Sequence, residues 1–393
     1  MKKTLLLAAL TMLVGSAPVH AQECVVHSKK GASWKYVDGD CEKGLAHGKG
    51  KAVSKKRHTY EGDFEKGVMH GHGTYTWPDG SYYVGDLKKG QFDGEGTFVR
   101  PDGTKYEGQW KDNKRNGHGR NVGSEGRVYD GDWKDDRMHG KGSMTWPDGR
   151  VYEGDFEKGK MHGQGVYTLS DGRKYEGQWE NDVRSGQGTY TWPDGRKYTG
   201  AWKNGKPHGQ GVKVWPTGTK YDGAFKLGKR TGKATMTWSD GREYEGEFLA
   251  GKQHGQGTMT WADGRKYEGG WKKGLKHGRG TFTWSDGKEY SGQWRNDMRH
   301  GKGKMTWSEG WSYDGEWKND MRNGSGTLTS ESGERYSGGW KDNKKSGRGT
   351  LELPDGTRYK GGFANDKPHG RGTYIFPDGR KVKGRWKNGK QVR

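Results

Sequence analysis

The side chains through which this 393-residue chain could do chemistry all recur on a common spacing. His47, His70, His139, His162, His208, His254, His277, His300 and His369 are separated by multiples of 23 residues. Nine imidazoles raise the question of metal ligation. Zinc needs nitrogens about 2 Å from the ion, whereas copies two strands apart lie roughly 10 Å from one another. Such histidines suit a place beside a turn, where they hydrogen-bond locally and pack on the glycine that follows. Carboxylates repeat in the same manner at Glu107, Glu153, Glu176, Glu245 and Glu268 and in a recurrent Asp-Gly pair. A catalytic site is one convergent constellation, not a ladder of equal copies; glycoside hydrolysis, for example, needs two distinguished carboxylates facing across a cleft. The glycines fail as a phosphate loop, because no GxxxxGK[ST] follows a strand and opens a helix. The reading is therefore not an enzyme, with no catalytic residue, no metal and no cofactor.

Cys24 and Cys41 are the two cysteines. An oxidising compartment would permit a disulfide between them, worth about 2 to 4 kcal/mol to the N-terminal end; two free buried thiols are the other reading. No CxxC pair is present. Lys2 and Lys3, the apolar stretch Leu5 to Gly15 and Val19-His20-Ala21 together read as a secretory signal peptide cut after Ala21. That stretch falls short of the roughly 20 apolar residues that span a bilayer, and no second one follows, so no transmembrane segment is expected after cleavage. The expected location is the periplasm or the extracellular space.

The elements that position these residues follow from a 23-residue period. Tyr60, Tyr83, Tyr106, Tyr129, Tyr152 and Tyr175 begin a series that runs to Tyr359 without an insertion. Each is followed two residues on by Gly and, at nearly every copy, four residues on by Trp or Phe. Residues at i, i+2 and i+4 share one face of a strand. A second strand, as in Gly71-His72-Gly73-Thr74-Tyr75-Thr76-Trp77, alternates likewise. Asp79-Gly80 and its copies are the strongest turn signal, and Lys158-Gly159-Lys160-Met161 typifies the opposite turn. The fold class is all-β: an elongated, twisted, single-layer antiparallel array of hairpins. Domain boundaries are 1–21 for the signal peptide, 22–59 for a cap and degenerate first repeat, and 60–393 for the tandem array. In the cap, Val37-Asp38-Gly39-Asp40-Cys41 carries the frame backwards, with Cys41 in an aromatic slot. With 27% hydrophobic residues and 74 glycines, the chain lacks the side chains for an ordinary globular core. Neighbouring units must share their buried face, and stability must come from contacts between repeats.

YEGDFEKGKMHGQG from Tyr152 and YEGGWKKGLKHGRG from Tyr267 closely resemble the MORN repeat (membrane occupation and recognition nexus), and the resemblance covers residues 37 to 393. It implies rods or arcs of twisted antiparallel sheet that act as scaffolds, dimerising modules and, in some members, binders of acidic phospholipids. Leu87, Arg100 and Gly123 depart from the pattern in aromatic slots, as do Asp93 and Asn116 in the His slot. Residues 83 to 126 are therefore expected to pack loosely or to bend.

Two surfaces carry functional expectations. The charge is +22, or +20 once Lys2 and Lys3 are removed. Lys158, Lys160, Lys203 and Lys206 on one turn rim and Arg173, Arg196 and Arg265 on the other would attract acidic ligands, with an attraction that salt weakens. Trp192, Trp215, Trp238, Trp261, Trp284 and Trp307 repeat in one slot, and a single layer leaves some of them free to form an interaction face. The leading expectation is a non-catalytic scaffold or protein-interaction ribbon with a protein partner or self-association. The alternative is a binding module for an acidic envelope component such as anionic lipid, lipopolysaccharide, wall polymer or other acidic polysaccharide. Aromatics interleaved with Lys and Arg can bind single strands, but an exported chain is not expected to have a nucleic acid as its native ligand.

Overall fold

A computed structural model describes residues 23–27 and 33–392; the signal-peptide expectation for residues 1–21 lies outside them. All regular elements among the described residues are strands, thirty-two of them, from β1 (Trp34–Glu42) to β32 (Lys390–Val392). The chain divides into two compact units, one ending at Lys160 and one beginning at Met161. In the first, each strand from β1 to β11 (Val151–Glu157) pairs antiparallel with the next. In the second, the same holds from β12 (Lys160–Thr168) to β32. The expected all-β hairpin array is what forms.

One repeat explains the rest. In β3 (Thr59–Glu65) and β4 (Val68–Thr76), Tyr60 faces Tyr75 and Gly62 faces Gly73, but the next pair is Phe64 with Met69. His70, Gly71 and His72 thus oppose Asp63 alone, in a bulge that Gly71 makes possible with φ of 57°. The histidine therefore sits in a bulge, not beside a turn. Asp63 fills the gap twice. Its carbonyl accepts the Tyr60 hydroxyl at 2.9 Å, and its carboxylate accepts the His72 N–H at 3.0 Å.

The Gly62–Gly73 pair is the floor on which the Tyr60 ring lies. A Cβ on Gly73 would meet the ring at 2.6 Å, and one on Gly62 would meet the Gly73 Cα at 2.5 Å. Removing both side chains lets a ring cover the backbone closely, and Tyr60 is fully buried in a sheet with no second layer. Each ring so buried is worth roughly 2 to 3 kcal/mol.

Both expected turns form, and they are of different kinds. Trp192-Pro193-Asp194-Gly195 is a four-residue turn, followed by Arg196. The Gly195 N–H donates to the Trp192 carbonyl at 3.0 Å, the Trp192 N–H donates to Arg196 at 2.9 Å, and the Asp194 carboxylate accepts the Arg196 N–H. Of the Asp-Gly pair only Gly195 has positive φ, at 85°. The tight two-residue turns, with both central residues left-handed, lie at the other end, as at Lys66-Gly67 (49°, 77°) and Asn319-Asp320 (48°, 66°). Each turn of this second kind donates an N–H to the repeat before it, as Gly67 does to Ala46 and Asp320 to Arg299.

The N-terminal end closes by its own chemistry. Cys24 and Cys41 form a disulfide, and Val25 bridges to Leu45 in parallel. The frame is one residue off that expected. A register shift after Tyr36 puts its ring, not Val37, over Gly39 and Gly50, and Val37 is left 55% exposed.

Candidate interaction face

The face bearing the tyrosines is a ladder of rings. All fourteen, from Tyr60 to Tyr359, donate their hydroxyl to the carbonyl three residues on at 2.8 to 3.1 Å. Most of these rings pack edge-on against the aromatic of their own repeat and that of the next, whereas Tyr60 and Tyr83 each have Leu87 in one of the two slots. In the first unit Tyr129 lies 5.2 Å from Trp133 and 5.0 Å from Phe156; in the second Tyr290 lies 5.1 Å from Trp294 and 5.5 Å from Trp317. Where this aromatic is Trp, its Nε1 donates to a glycine carbonyl of the preceding hairpin, as Trp294 does to Gly280 and Trp317 to Gly303. Burial holds the tyrosines neutral, pushing Tyr175, Tyr198, Tyr221 and Tyr336 up to about 12.

The stretch expected to be loose is well filled. Leu87 is buried, and Phe92, in the slot Met69 holds one repeat earlier, stacks on Tyr83 at 3.9 Å. Bulk missing from one slot is supplied by its neighbour. Arg100 lays its guanidinium 5.7 Å from the Phe98 centroid.

Trp192, Trp215, Trp238, Trp261, Trp284 and Trp307 are half-buried. Five of them have a cation over the ring: Arg196 over Trp192 at 5.2 Å, Lys213 over Trp215 at 5.0 Å, Arg242 over Trp238 at 5.1 Å, Arg265 over Trp261 at 5.4 Å and Lys288 over Trp284 at 4.6 Å. The same geometry occupies the arginine rim. Arg173, Arg196 and Arg265 pair with the aspartate of their own turn at 2.7 to 2.8 Å, so their charge is largely compensated. Lys158 pairs with Glu157 at 3.2 Å, while Lys160, Lys203 and Lys206 are exposed.

A row of cations inside the aromatic face is the feature that sequence reasoning missed. Arg115 in the first unit and Arg184, Arg230, Lys276, Arg299, Arg322 and Lys345 in the second stand where Met69 stands in its repeat. All but Lys345, which lies over Tyr336 of its own repeat, lie over the next repeat's ring, with Arg115 4.1 Å from Trp133, Arg299 4.3 Å from Trp317 and Arg322 4.4 Å from Trp340. Asp136 pairs with Arg115 at 3.2 Å, Asp320 with Arg299 at 2.9 Å and Glu334 with Lys345 at 3.2 Å. Arg184, Arg230 and Arg322 bond instead to the carbonyls of Gly205, Gly251 and Asn343. Among the described residues, no carboxylate comes within ion-pair distance of these three. Desolvation lowers the pKa of Arg230, Lys276 and Arg322. The signal was available as basic residues recurring every 23 positions in a slot that elsewhere holds Met, Phe, Pro or Gln.

This geometry defines a tandem β-hairpin repeat protein. The MORN repeat model matches fourteen times, over residues 60–82, 83–105, 106–120, 129–149, 152–172, 175–195, 198–220, 221–241, 244–264, 267–289, 290–312, 313–335, 336–358 and 359–379. The chain belongs to the MORN repeat family. No curated protein sequence matches it. Among solved structures it is similar to the SAS-4 TCP domain of Drosophila melanogaster in complex with a proline-rich motif of Ana2, at 11% identity, covering 44% of this chain and 86% of that one, with a TM-score of 0.24. It is also similar to the TCP10 domain of Danio rerio CPAP in complex with a STIL peptide, at 14% identity, 79% and 97% coverage and a TM-score of 0.15. A third is the Staphylococcus aureus virginiamycin B lyase, at 10% identity, 78% and 92% coverage and a TM-score of 0.13. Superpositions this low carry no argument about function.

Proposed function

We propose that this MORN repeat chain is a non-catalytic scaffold or protein-interaction protein of the periplasm or extracellular space. The observation that carries the reading is the recurrence itself. The tyrosine hydroxyls, the indole N–H groups of the tryptophans packed on them and the turn carboxylates make bonds that build the sheet, and each is repeated rather than singled out. A surface built of equal copies suits an extended partner or a second chain better than one small substrate. The Cys24–Cys41 disulfide supports work outside the cytoplasm. Crosslinking of the chain in its native compartment tests the reading. Recovery of a protein partner or of a self-associated form is expected, and recovery of neither overturns it.

A second reading rests on a separate observation, the inner cations Arg184, Arg230 and Arg322 that lack a carboxylate partner. It assigns the chain to an acidic envelope component: anionic lipid, lipopolysaccharide or a negatively charged polysaccharide. Cosedimentation with anionic and neutral vesicles, and with an acidic wall polymer, across a salt series should show binding to the acidic partners that is lost as salt rises. Absence of salt-sensitive binding at low ionic strength overturns this reading and leaves the first untouched.

A further inference from the structure

The array breaks its own rule at one place. The residue after the turn glycine is Ser, Thr, Arg, Lys or Glu in every other repeat from Ser81 to Arg380, and at position 311 it is Trp. Trp311 is the one exposed tryptophan among the described residues, at 40%. The slot from which Arg150, Arg196, Arg242, Arg265 and Lys288 lay a cation over the outer indole thus holds a second indole, and among the described residues no cation lies over the Trp307 ring. The turn itself is kept, with the Trp307 N–H donating to the Trp311 carbonyl at 2.9 Å.

A second departure lies in the same groove. Arg299 is neutralised by Asp320 at 2.9 Å, but one repeat on the equivalent turn residue is Asn343, which gives Arg322 only a carbonyl, also at 2.9 Å. Trp307, Trp311, Glu309, Asp320 and Arg322 line one groove of about 510 Å³, with Lys288 at its margin 3.9 Å from Asp286. The groove therefore offers flat indole surface, one guanidinium with no carboxylate at ion-pair distance among the described residues and two carboxylate acceptors.

We infer that this groove binds a saccharide carrying a carboxylate, with a sugar ring against Trp311 and Trp307, its carboxylate on Arg322 and its hydroxyls donating to Glu309 and Asp320. The inference rests on the acidic-component reading and names its site. An indole face accepts the C–H face of a sugar as it accepts any flat apolar surface, and a guanidinium takes a carboxylate through two parallel N–H donors. Glu309 and Asp320 favour a ligand rich in hydroxyl donors and oppose one whose only polar groups are carboxylates.

Calorimetric titration of residues 22–393 with a galacturonic acid tetramer, the neutral galactose tetramer and tetraglutamate at low salt tests this. The variants are Trp311→Thr, which installs the residue found there as Thr104, Thr219 and Thr357, and Arg322→Gln. The galacturonate tetramer is expected to bind, the galactose tetramer and tetraglutamate not to bind, and each variant to lose about tenfold or more in affinity. Hydrogen exchange in the flanking strands shows whether each variant keeps its fold. If Trp311→Thr binds galacturonate as tightly as the parent chain, the site is overturned while the acidic-component reading stands. If tetraglutamate binds as well as galacturonate and is equally weakened by both variants, the saccharide assignment is overturned in favour of an acidic peptide. If no acidic probe binds, anionic vesicles included, both fall.

Discussion

The two glycines that face each other beneath every tyrosine are not equivalent, and a pair of alanine substitutions should separate them. In the second unit Gly246 of β19 (Glu243–Leu249) faces Gly257 of β20 (Lys252–Thr260) below Tyr244. A methyl on Gly257 would meet only the Tyr244 ring, 2.6 Å from Cζ. That ring can lift. Ala234 stands in the same slot one repeat earlier, and Tyr221 above it still donates to the Ala224 carbonyl at 2.8 Å. A methyl on Gly246 would lie 2.5 Å from the Gly257 Cα, so the two backbones themselves must part. Neither glycine has a left-handed φ, and the comparison is therefore one of contact alone. Overpacking against backbone should put Gly246→Ala near the top of the usual 1 to 3 kcal/mol range. Gly257→Ala should cost about 1 kcal/mol or less, because alanine also restricts the unfolded chain. In a repeat array the damage stays local, so native-state hydrogen exchange is the assay. Amides of β19 and β20 should exchange on the order of 100-fold faster in Gly246→Ala and less than about tenfold faster in Gly257→Ala. Equal acceleration in the two variants would refute the reasoning, as would an unchanged Gly246→Ala.

Three further outcomes follow from the same geometry. Trp294→Phe should cost about 1 kcal/mol, the worth of its bond to the Gly280 carbonyl, since Phe248 fills the equivalent slot without one; a thermal melt unchanged from the parent chain would show that bond to be idle. Raising the pH should unfold the array in alkali. Buried tyrosines such as Tyr198 titrate near 12 in the fold against 10.0 when free, so the folded state holds more protons between those values. Stability is then full below about pH 10 and is lost as pH rises towards 12, with phenolate absorbance and loss of β-sheet circular dichroism appearing together. Phenolate formation near pH 10 with the sheet intact would contradict this. Reducing the Cys24–Cys41 bridge, whose partners are 17 residues apart, should destabilise β1 and β2 (Leu45–Ser54) by about 2 to 4 kcal/mol. Limited proteolysis would then cut ahead of Ser54 and leave the second unit whole, whereas equal protection of β1 in oxidised and reduced chains would speak against a stapled end.

What the sequence disclosed and what it hid have a common physical cause. A period of 23 with Tyr, Gly and Trp at alternate positions is enough to define strands, their faces and the hairpin count, because side-chain direction alternates strictly along a strand. That rule fails where strands are unequal. The bulge of His70, Gly71 and His72 opposite Asp63 breaks the alternation, and so the histidine looked as if it flanked a turn. The kind of turn at each end was hidden for a related reason. A tight hairpin turn needs two left-handed residues, and Lys-Gly, Asn-Asp and Asp-Asn supply them here, whereas Asp194 accepts the Arg196 N–H from a wider turn. The inner cations were hidden because their slot lies between the turn and the bulge, where strict alternation no longer assigns a residue to the aromatic face. Arg299 can enter it because a guanidinium lies flat on Trp317 while its edge bonds to Asp320. Once such a cation belongs to the packing, the informative positions are those where its partner is missing. Asn343 in place of an aspartate and Trp311 in place of an arginine are single-residue departures, invisible against a consensus and meaningful only when the fold sets them in one groove.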